Sequence, residues 1–389
     1  MSDSRTRVLV LGRDKEWARR AMDTFSDTHE FVRLPADAER HGGLPGPELL
    51  RAADELMARR PFAAVVATSE STMLAAGFLR SQYGLPGLDY AQSLLVTNKW
   101  RMRGRLGSVV PSPRAWLSGR FLADGPRDGA DVTEVVVKPI ASSASRDVRR
   151  MPVGRARDWL AGQDGLWLVE EAVAVEREFH CDGAFHDGRV SWLVISEYDR
   201  PALQTAGTWG TSFLRRDDPL RPRLTELTHR VIEELDAGDG VFHVEFLHDG
   251  ARLSFGEVGM RPAGAGWGEL LRVTTGADIW GAFVATQLGM DSLGFAPLRP
   301  AAEISGMLWA RPNPDGSLPL PAAQAGRLPG VVLIGEGNRA RGADPTNSCD
   351  FEYRAYFEGL TPEEADRLRA AVMTPSGAGP VTTGIGTAE

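Results

Sequence analysis

Two carboxylates twelve residues apart, Glu245 and Glu257, lie in VFHVEFLHDGARLSFGEVGMRPAGAGWG, which reads as two strands around a turn at His248-Asp249-Gly250. If Asp249-Gly250-Ala251 is a three-residue loop with Gly250 in the left-handed conformation, both acids point to the same sheet face, one pair apart. A two-residue loop would send them to opposite faces. Phe242, Val244 and Phe246 form an apolar stripe that needs a core. That favours the first register and gathers His243, Glu245 and Glu257 on the other face. Two carboxylates so placed suit Mg²⁺, which takes a few carboxylates plus phosphate oxygens and water. A solvated hairpin carrying unpaired acids is the competing reading.

Cations with fixed surroundings are the complement. Lys138 ends the β-branched run EVVVKPI (134–140), and Pro139 opposes helical alternatives, so its ammonium is expected to aim inward at a fixed anion. The loop ASSASRDV that follows offers the hydroxyls and N–H groups of Ser142, Ser143 and Ser145 to phosphates. Arg261, four residues after Glu257, precedes Pro262 and Ala263-Gly264-Ala265-Gly266, where backbone can approach a ligand closely. Its guanidinium suits a carboxylate or acyl-phosphate group held by two parallel hydrogen bonds, the alternative being a salt bridge to a neighbouring acid. His180, Cys181 and His186 lack a fourth ligand and a zinc-site spacing, so no zinc is expected. Trp209, Trp267 and Trp309 are candidate pocket walls, although such residues are more often core.

The elements that must position these groups follow from pattern. A chain of 389 residues exceeds what one hydrophobic core serves, so two or three packed units are expected. Its 42% hydrophobic and 25% charged content is that of a globular protein. A net charge of −8 argues against nucleic acid or an anionic membrane as the main partner. Any anionic ligand must be drawn in by local cations. Cys181 and Cys349 make no disulfide framework, and there is no signal-like or long apolar run, so a cytoplasmic setting is expected.

RVLVLG (7–12) and FAAVVAT (62–68) read as strands, each followed by a helix, the second running from an N-cap at Ser69 to a C-cap at Gly84. Alternating strand and helix implies a parallel sheet. Beyond residue 90 a helix carries Asn98, Lys99 and Arg101, then come strands at 134–140 and 166–173 and a two-stranded unit turning at Asp187-Gly188. QTAGTWGTS reads as a polar loop, and LTELTHRVIEELDAG as an amphipathic helix stopping at Gly238. LLRVTTGADIWGAFVATQLG is a helix pair or one broken helix, and the remainder to about 372 is mixed, with a strand at VVLIG (331–335) and a helix capped by Thr361-Pro362. The first few residues and the last seventeen are expected to be disordered.

In order and spacing, Lys99, Lys138-Pro139, Glu170-Glu171, Glu178, Glu245 and Glu257-x-Gly259-x-Arg261 resemble the ATP-grasp superfamily over about residues 90–290. Within it the chain is most similar to carboxylate–amine ligases of the L-amino-acid (dipeptide) type. The resemblance implies an α+β architecture with an N-terminal α/β parallel-sheet domain. Its divisions would be an N-terminal domain 1–92, a small lid subdomain 93–175, a large subdomain 176–295 with the metal site, a C-terminal extension 296–372 and a tail 373–389.

It further implies that Lys99, Lys138 and Ser142, Ser143 and Ser145 hold the triphosphate, and that Glu171, Ala172 and Val173 present backbone groups to adenine with Glu170 beside them. Glu178 would accept from the ribose hydroxyls. Glu245 and Glu257 would hold one or two Mg²⁺, with Mn²⁺ a possible substitute, and Arg261 would handle the acid substrate. Gly259 stands where the family has Asn, leaving a second ion to Glu257, phosphates and water. The implied reaction joins a small carboxylic acid or amino acid to an amine through an acyl phosphate, with loops 142–148 and 205–212 closing against water. A homodimer is compatible with it. Two alternatives remain: an ATP-binding regulator without catalysis, and an ATP-dependent carboxylase, for which no Met-Lys-Met biotin segment is present. A dinucleotide site is disfavoured, because Arg13 and Asp14 follow Gly12 where G-x-G-x-x-G is required.

Overall fold

The computed structural model describes residues 5–34 except 13, 46–290 except 128, 130, 144 and 205–206, then 304–337 and 351–374. The first four residues, Cys349 and the expected tail beyond 374 lie outside them. The N-terminal unit comprises β1 (Thr6–Leu11), α1 (Glu16–Asp23), β2 (His29–Leu34), α2 (Pro47–Arg59), β3 (Ala64–Ala67) and α3 (Glu70–Tyr83). Its three strands are parallel in the order β2-β1-β3. VLVL of β1 and AVVA of β3 are fully buried, as expected of strands covered on both faces. Gly84 caps α3 in the left-handed conformation, φ +65°. Ser69 stands at the N-cap but makes no cap bond, its hydroxyl pairing with those of Ser71 and Thr72 instead.

The second unit runs through α4 (Tyr90–Leu95), α5 (Lys99–Leu106), β4 (Ala115–Leu117), α6 (Ser118–Asp124), β5 (Glu134–Pro139), β6 (Arg149–Pro152), α7 (Val153–Ala161) and β7 (Trp167–Glu171). Its antiparallel sheet has the order β4-β7-β5-β6 and buries Val135, Val137 and Val169 against Phe121, Ala156 and Leu160. Asn98 caps α5 by accepting from the Arg101 amide at 3.1 Å, which fixes where Lys99 begins.

The third unit holds β8 (Arg177–His186), β9 (Arg189–Tyr198), β10 (Trp209–Phe213), α8 (Arg221–Leu235), β11 (Gly240–His248), β12 (Leu253–Gly259), α9 (Trp267–Thr275), α10 (Ile279–Gln287), β13 (Gly306–Ala310), α11 (Ala322–Ala325), β14 (Val331–Glu336), β15 (Tyr353–Phe357) and α12 (Pro362–Met373). Eight antiparallel strands lie in the order β12-β11-β8-β9-β10-β13-β15-β14, so the sheet spans both sides of residue 295. Residues 209–212, expected within a polar loop, belong with Phe213 to the interior strand β10, whose sequence WGTSF carries small and polar residues that mask a strand pattern. Asp187 and Gly188 turn β8 into β9 with φ of 50° and 72°, the two left-handed residues that a tight hairpin requires. Thr361 and Glu364 form a reciprocal capping box on α12. The back face of β8, β11 and β12, with Phe179, Phe242, Val244, Phe246 and Phe255, packs on α8 and on Met102 and Leu106 of α5.

The β11–β12 turn differs from expectation. His248 opposes Leu253, and the Asp249 amide donates to the Arg252 carbonyl at 3.3 Å, leaving Gly250-Ala251 as the tight loop with Gly250 at φ +88°. Continued without interruption, that register would turn Glu257 away from Glu245. A bulge restores it. Phe246 pairs with Phe255 but Glu245 pairs with Glu257, so Gly256 is passed over. The two acids are directly opposed rather than one pair apart, and the bulge, not a three-residue loop, brings them to one face.

Candidate functional site

A cavity of about 1080 Å³ lies where the three units meet, lined by the loops after β1 and β3, by Lys138 and the loop after β5, and by the inner face of the eight-stranded sheet. The N-terminal unit thus contributes the carboxyl ends of its parallel strands, where open α/β sheets take ligands. Glu245, Glu257 and His243 project from the sheet into this space.

Gly256 makes their opposition sterically possible. A Cβ there would sit 3.0 Å from the Glu245 carbonyl oxygen and 3.2 Å from the Glu245 Cβ. Arg103 of α5 secures the passed-over backbone, donating to the carbonyls of Phe255 at 2.9 Å and Gly256 at 2.7 Å while lying 4.9 Å over the Phe255 ring.

Each metal-candidate carboxylate has one oxygen engaged by a cation. Lys99 Nζ donates to Glu257 Oε1 at 2.9 Å and to the Ser142 carbonyl at 2.7 Å. Burial would lower the Lys99 ammonium, but Glu257, Glu70 and Glu245 outweigh it and raise its pKa. His243 Nε2 faces Glu245 Oε1 at 3.2 Å and its Nδ1 faces Asp182 Oδ1 at 2.8 Å. Burial again opposes charge, yet Asp182 and Glu245 raise the imidazole to about 10, so His243 is a cation at neutral pH. Glu245 is held below its usual range, its burial offset by His243. Asp182, fully buried, also holds His180 Nδ1 at 2.5 Å, whose Nε2 meets the Thr211 hydroxyl at 2.7 Å. Asp182, His180 and His243 lie within reach of one ion, but every ring nitrogen already has a partner among these groups. The cluster therefore braces Glu245. His180, Cys181 and His186 do not converge: Cys181 joins the back-face core and His186 pairs with Asp239 at 2.7 Å.

Lys138 does face inward, where Glu170 receives its Nζ at 2.6 Å. Glu170 also accepts from Arg103 Nε at 2.5 Å, and although burial alone would raise its carboxyl, Arg103 and Lys138 lower it to about 2. It is thus a buried anchor for two cations, directly before the segment expected to meet adenine. Glu171 pairs with Arg114 at 3.0 Å. The Glu171 and Ala172 amides donate to the carbonyls of Arg114 and Glu134, and the Val173 carbonyl accepts from Arg150 at 3.4 Å. Among the described residues this leaves the Ala172 carbonyl and Val173 amide for a base edge. Ser142, Ser143 and Ser145 line the cavity, Ser145 in the left-handed region at φ 53°. Glu178 is buried, accepts from the Ala202 amide at 2.7 Å, and is pushed up to about 8 by burial and by Glu245.

Arg261 meets an acid from another unit. Glu70, the first residue of α3, takes Arg261 Nε at 2.9 Å and also its Nη2, while Nη1 donates to the Pro262 carbonyl at 3.0 Å. Three of the guanidinium's five donors are thereby committed. Burial would raise Glu70, but Arg261 and Lys99 hold it low. Trp209, Trp267 and Trp309 both line the cavity and are buried, with Trp309 Nε1 donating to the Ala265 carbonyl at 2.8 Å and its ring centroid 4.4 Å from that of Trp209.

Sequence reasoning missed Arg103, Glu70 and Gly256. Arg103 had a signal in its i,i+4 spacing from Lys99 on one helix, and Gly256 in being a glycine inside a strand. Glu70 had one in following a strand of the parallel sheet.

No protein-family model matches the chain. Over 242 residues it is 28% identical to the L-arginine-specific L-amino acid ligase of Bacillus subtilis, an alignment covering 58% of this chain and 58% of the length of that relative. Its structure is similar to the L-amino acid ligase from Bacillus licheniformis, with a TM-score of 0.74 and 14% identity over 95% of this chain and 98% of that one. N5-carboxyaminoimidazole synthetase from Staphylococcus aureus, complexed with ADP, gives a TM-score of 0.70 at 10% identity over 95% and 97% of the two chains. Phosphoribosylglycinamide synthetase from Anaerococcus prevotii gives 0.66 at 12% identity over 95% and 98%. These neighbours are ATP-grasp proteins, and the chain has the ATP-grasp fold. Among the described residues no helix is long and apolar enough to cross a membrane.

Proposed function

We propose that this chain is an ATP-dependent carboxylate–amine ligase, forming an amide bond through an acyl phosphate and releasing ADP and phosphate. The reading rests on the directly opposed Glu245 and Glu257, with Lys99 at hand and Arg261 beside them in one cavity. Similarity to the Bacillus subtilis ligase supports it.

Lys99 and His243 engage only the Oε1 atoms of the two glutamates. Their Oε2 atoms form the hard oxygen donor set that Mg²⁺ takes, whereas Gly259 adds no side-chain ligand. Bound there, Mg²⁺ would neutralise charge on the triphosphate.

Lys99 and Lys138 orient the triphosphate, and the loop 142–148 covers it. A substrate carboxylate oxygen attacks the γ-phosphorus. The bond from that phosphorus to the β–γ bridging oxygen breaks, and ADP leaves with the electron pair. The amine nitrogen then attacks the acyl carbon and loses a proton, and phosphate departs with the acyl carbon–oxygen pair, closing the amide. The donors of Arg261 not held by Glu70 and Pro262 stabilise the oxyanion of the tetrahedral intermediate.

The deciding experiment measures ADP and phosphate released from Mg-ATP in the presence of pooled amino acids and small carboxylic acids, with mass spectrometry of products. ADP together with a new amide mass is expected. AMP as product, or tight ATP binding without turnover in every pool, would overturn the ligase reading.

A further inference from the structure

Arg354 of β15 is a buried cation, 7% exposed, in the wall of the cavity. Among the described residues no carboxylate pairs with it. Its hydrogen bond runs from Nη2 to the backbone carbonyl of Glu336 at 2.8 Å, and its Nε has no partner. Glu16 and Glu269, which share its neighbourhood around Tyr356, pair with Arg20 and Arg272 instead. Charged side chains are almost never so buried unless paired.

The surroundings are shaped for the guanidinium. It lies 4.6 Å from the ring centre of Trp17 in α1 and 5.4 Å from that of Phe351. A Cβ on Gly266 would stand 2.9 Å from its Nη1, and one on Gly335 would stand 3.0 Å from its Nε. Two glycines thus make room for a planar fork whose open donors suit a carboxylate.

Arg354 is also several strands away from the candidate metal pair. It stands on the seventh strand of the sheet, whereas Glu257 and Glu245 stand on the first two. Adjacent strands lie about 4.8 Å apart, and one extended residue spans at most about 3.6 Å. Tyr198, Trp209 and Trp309 line the cavity between the two ends.

We propose that Arg354, with the rings of Trp17 and Phe351 beside it, binds a non-reacting terminal carboxylate of an extended substrate, reaching along the aromatic wall from the Glu245–Glu257 pair. The proposal depends on the ligase reading only for which molecule carries that carboxylate.

The test compares wild type, Arg354→Met and Arg354→Lys. Products are followed with di- and tripeptides as amine partners, each with a free C-terminus or a C-terminal amide, and with dicarboxylic acids against their mono-amides as acid partners. Calorimetry measures binding of the same pairs in the presence of Mg²⁺ and a non-hydrolysable ATP analogue. Wild type is expected to favour the carboxylate member of one set, which identifies the partner that carries it. Arg354→Met should raise KM and Kd for that member roughly tenfold or more, leaving its amide and the ATP analogue unchanged. Arg354→Lys should restore part of the difference. If carboxylate and amide members bind alike in wild type, or if Arg354→Met affects both equally, the proposal falls; should Arg354→Met not fold, Arg354→Lys decides by the same comparison. Selective binding without any product would retain the anchor and sink the ligase, whereas product formed without selectivity would do the reverse.

Discussion

Arg103 donates from Nη2 to the carbonyl of Gly256 at 2.7 Å, so a helix preceding the small sheet holds the bulge that sets Glu257 opposite Glu245. The same guanidinium binds Glu170, which in turn holds Lys138. The candidate metal pair and the candidate phosphate lysine are therefore positioned through one buried charge network.

Replacing Gly256 by Val should disturb that arrangement at its tightest point, because the new Cβ meets the Glu245 backbone at 3.0 Å. A loss of about 1–3 kcal/mol in stability is expected. Misplacing Glu257 should lower ADP release about a hundredfold. Urea unfolding and turnover across a Mg²⁺ titration check both; unchanged turnover would show that the bulge is not needed.

Glu257→Gln keeps an oxygen for Lys99 but removes the ligand charge. ATP turnover should be lost while the protein stays folded, as read by ADP release and circular dichroism. Retained turnover would sink the assignment of Glu257 to the metal.

Glu170→Gln should cost about 3–5 kcal/mol at pH 7, since it leaves Arg103 and Lys138 buried without their counter-ion. The carboxyl titrates at about 2 instead of 4.5. A depressed carboxylate contributes stability that is complete above the unfolded value and is lost as pH falls through the folded one. Wild type should therefore lose on the order of 3 kcal/mol between about pH 4.5 and pH 2 from this group, and the variant should lack that component. Denaturant unfolding at stepped pH measures the difference.

Glu70→Gln and Arg261→Lys should each reduce acid-dependent turnover about tenfold, because Lys cannot reproduce the fork and Gln cannot hold it by charge. ATP affinity should change little in either. In the double variant the losses should be non-additive by about 1 kcal/mol or more. Equal losses of ATP affinity would mean that the pair serves the nucleotide.

What local pattern encodes was legible. Apolar runs specified β1 and β3, Asp187-Gly188 specified a hairpin, Thr361-Pro362 started α12, and the order of Lys99, Lys138, Glu178, Glu245, Glu257 and Arg261 pointed to the ATP-grasp fold. These depend on side-chain periodicity and turn chemistry within a few residues, which a sequence carries directly. β10, β13 and β15 were not read as strands, since each is short and its burial comes from neighbours across the sheet.

Partner choice was decided by tertiary structure alone. Lys99 meets Glu257 across 158 positions, Arg261 meets Glu70 across 191, and Arg354 rests on Trp17 of the first helix. Nothing local distinguishes a cation that will face an acid from one that will face a ligand, because burial and pairing are fixed only where the three units meet at one cavity. Composition supplied the charged groups available for chemistry; packing determined which of them neutralise one another and, among the described residues, left Arg354 without an acid.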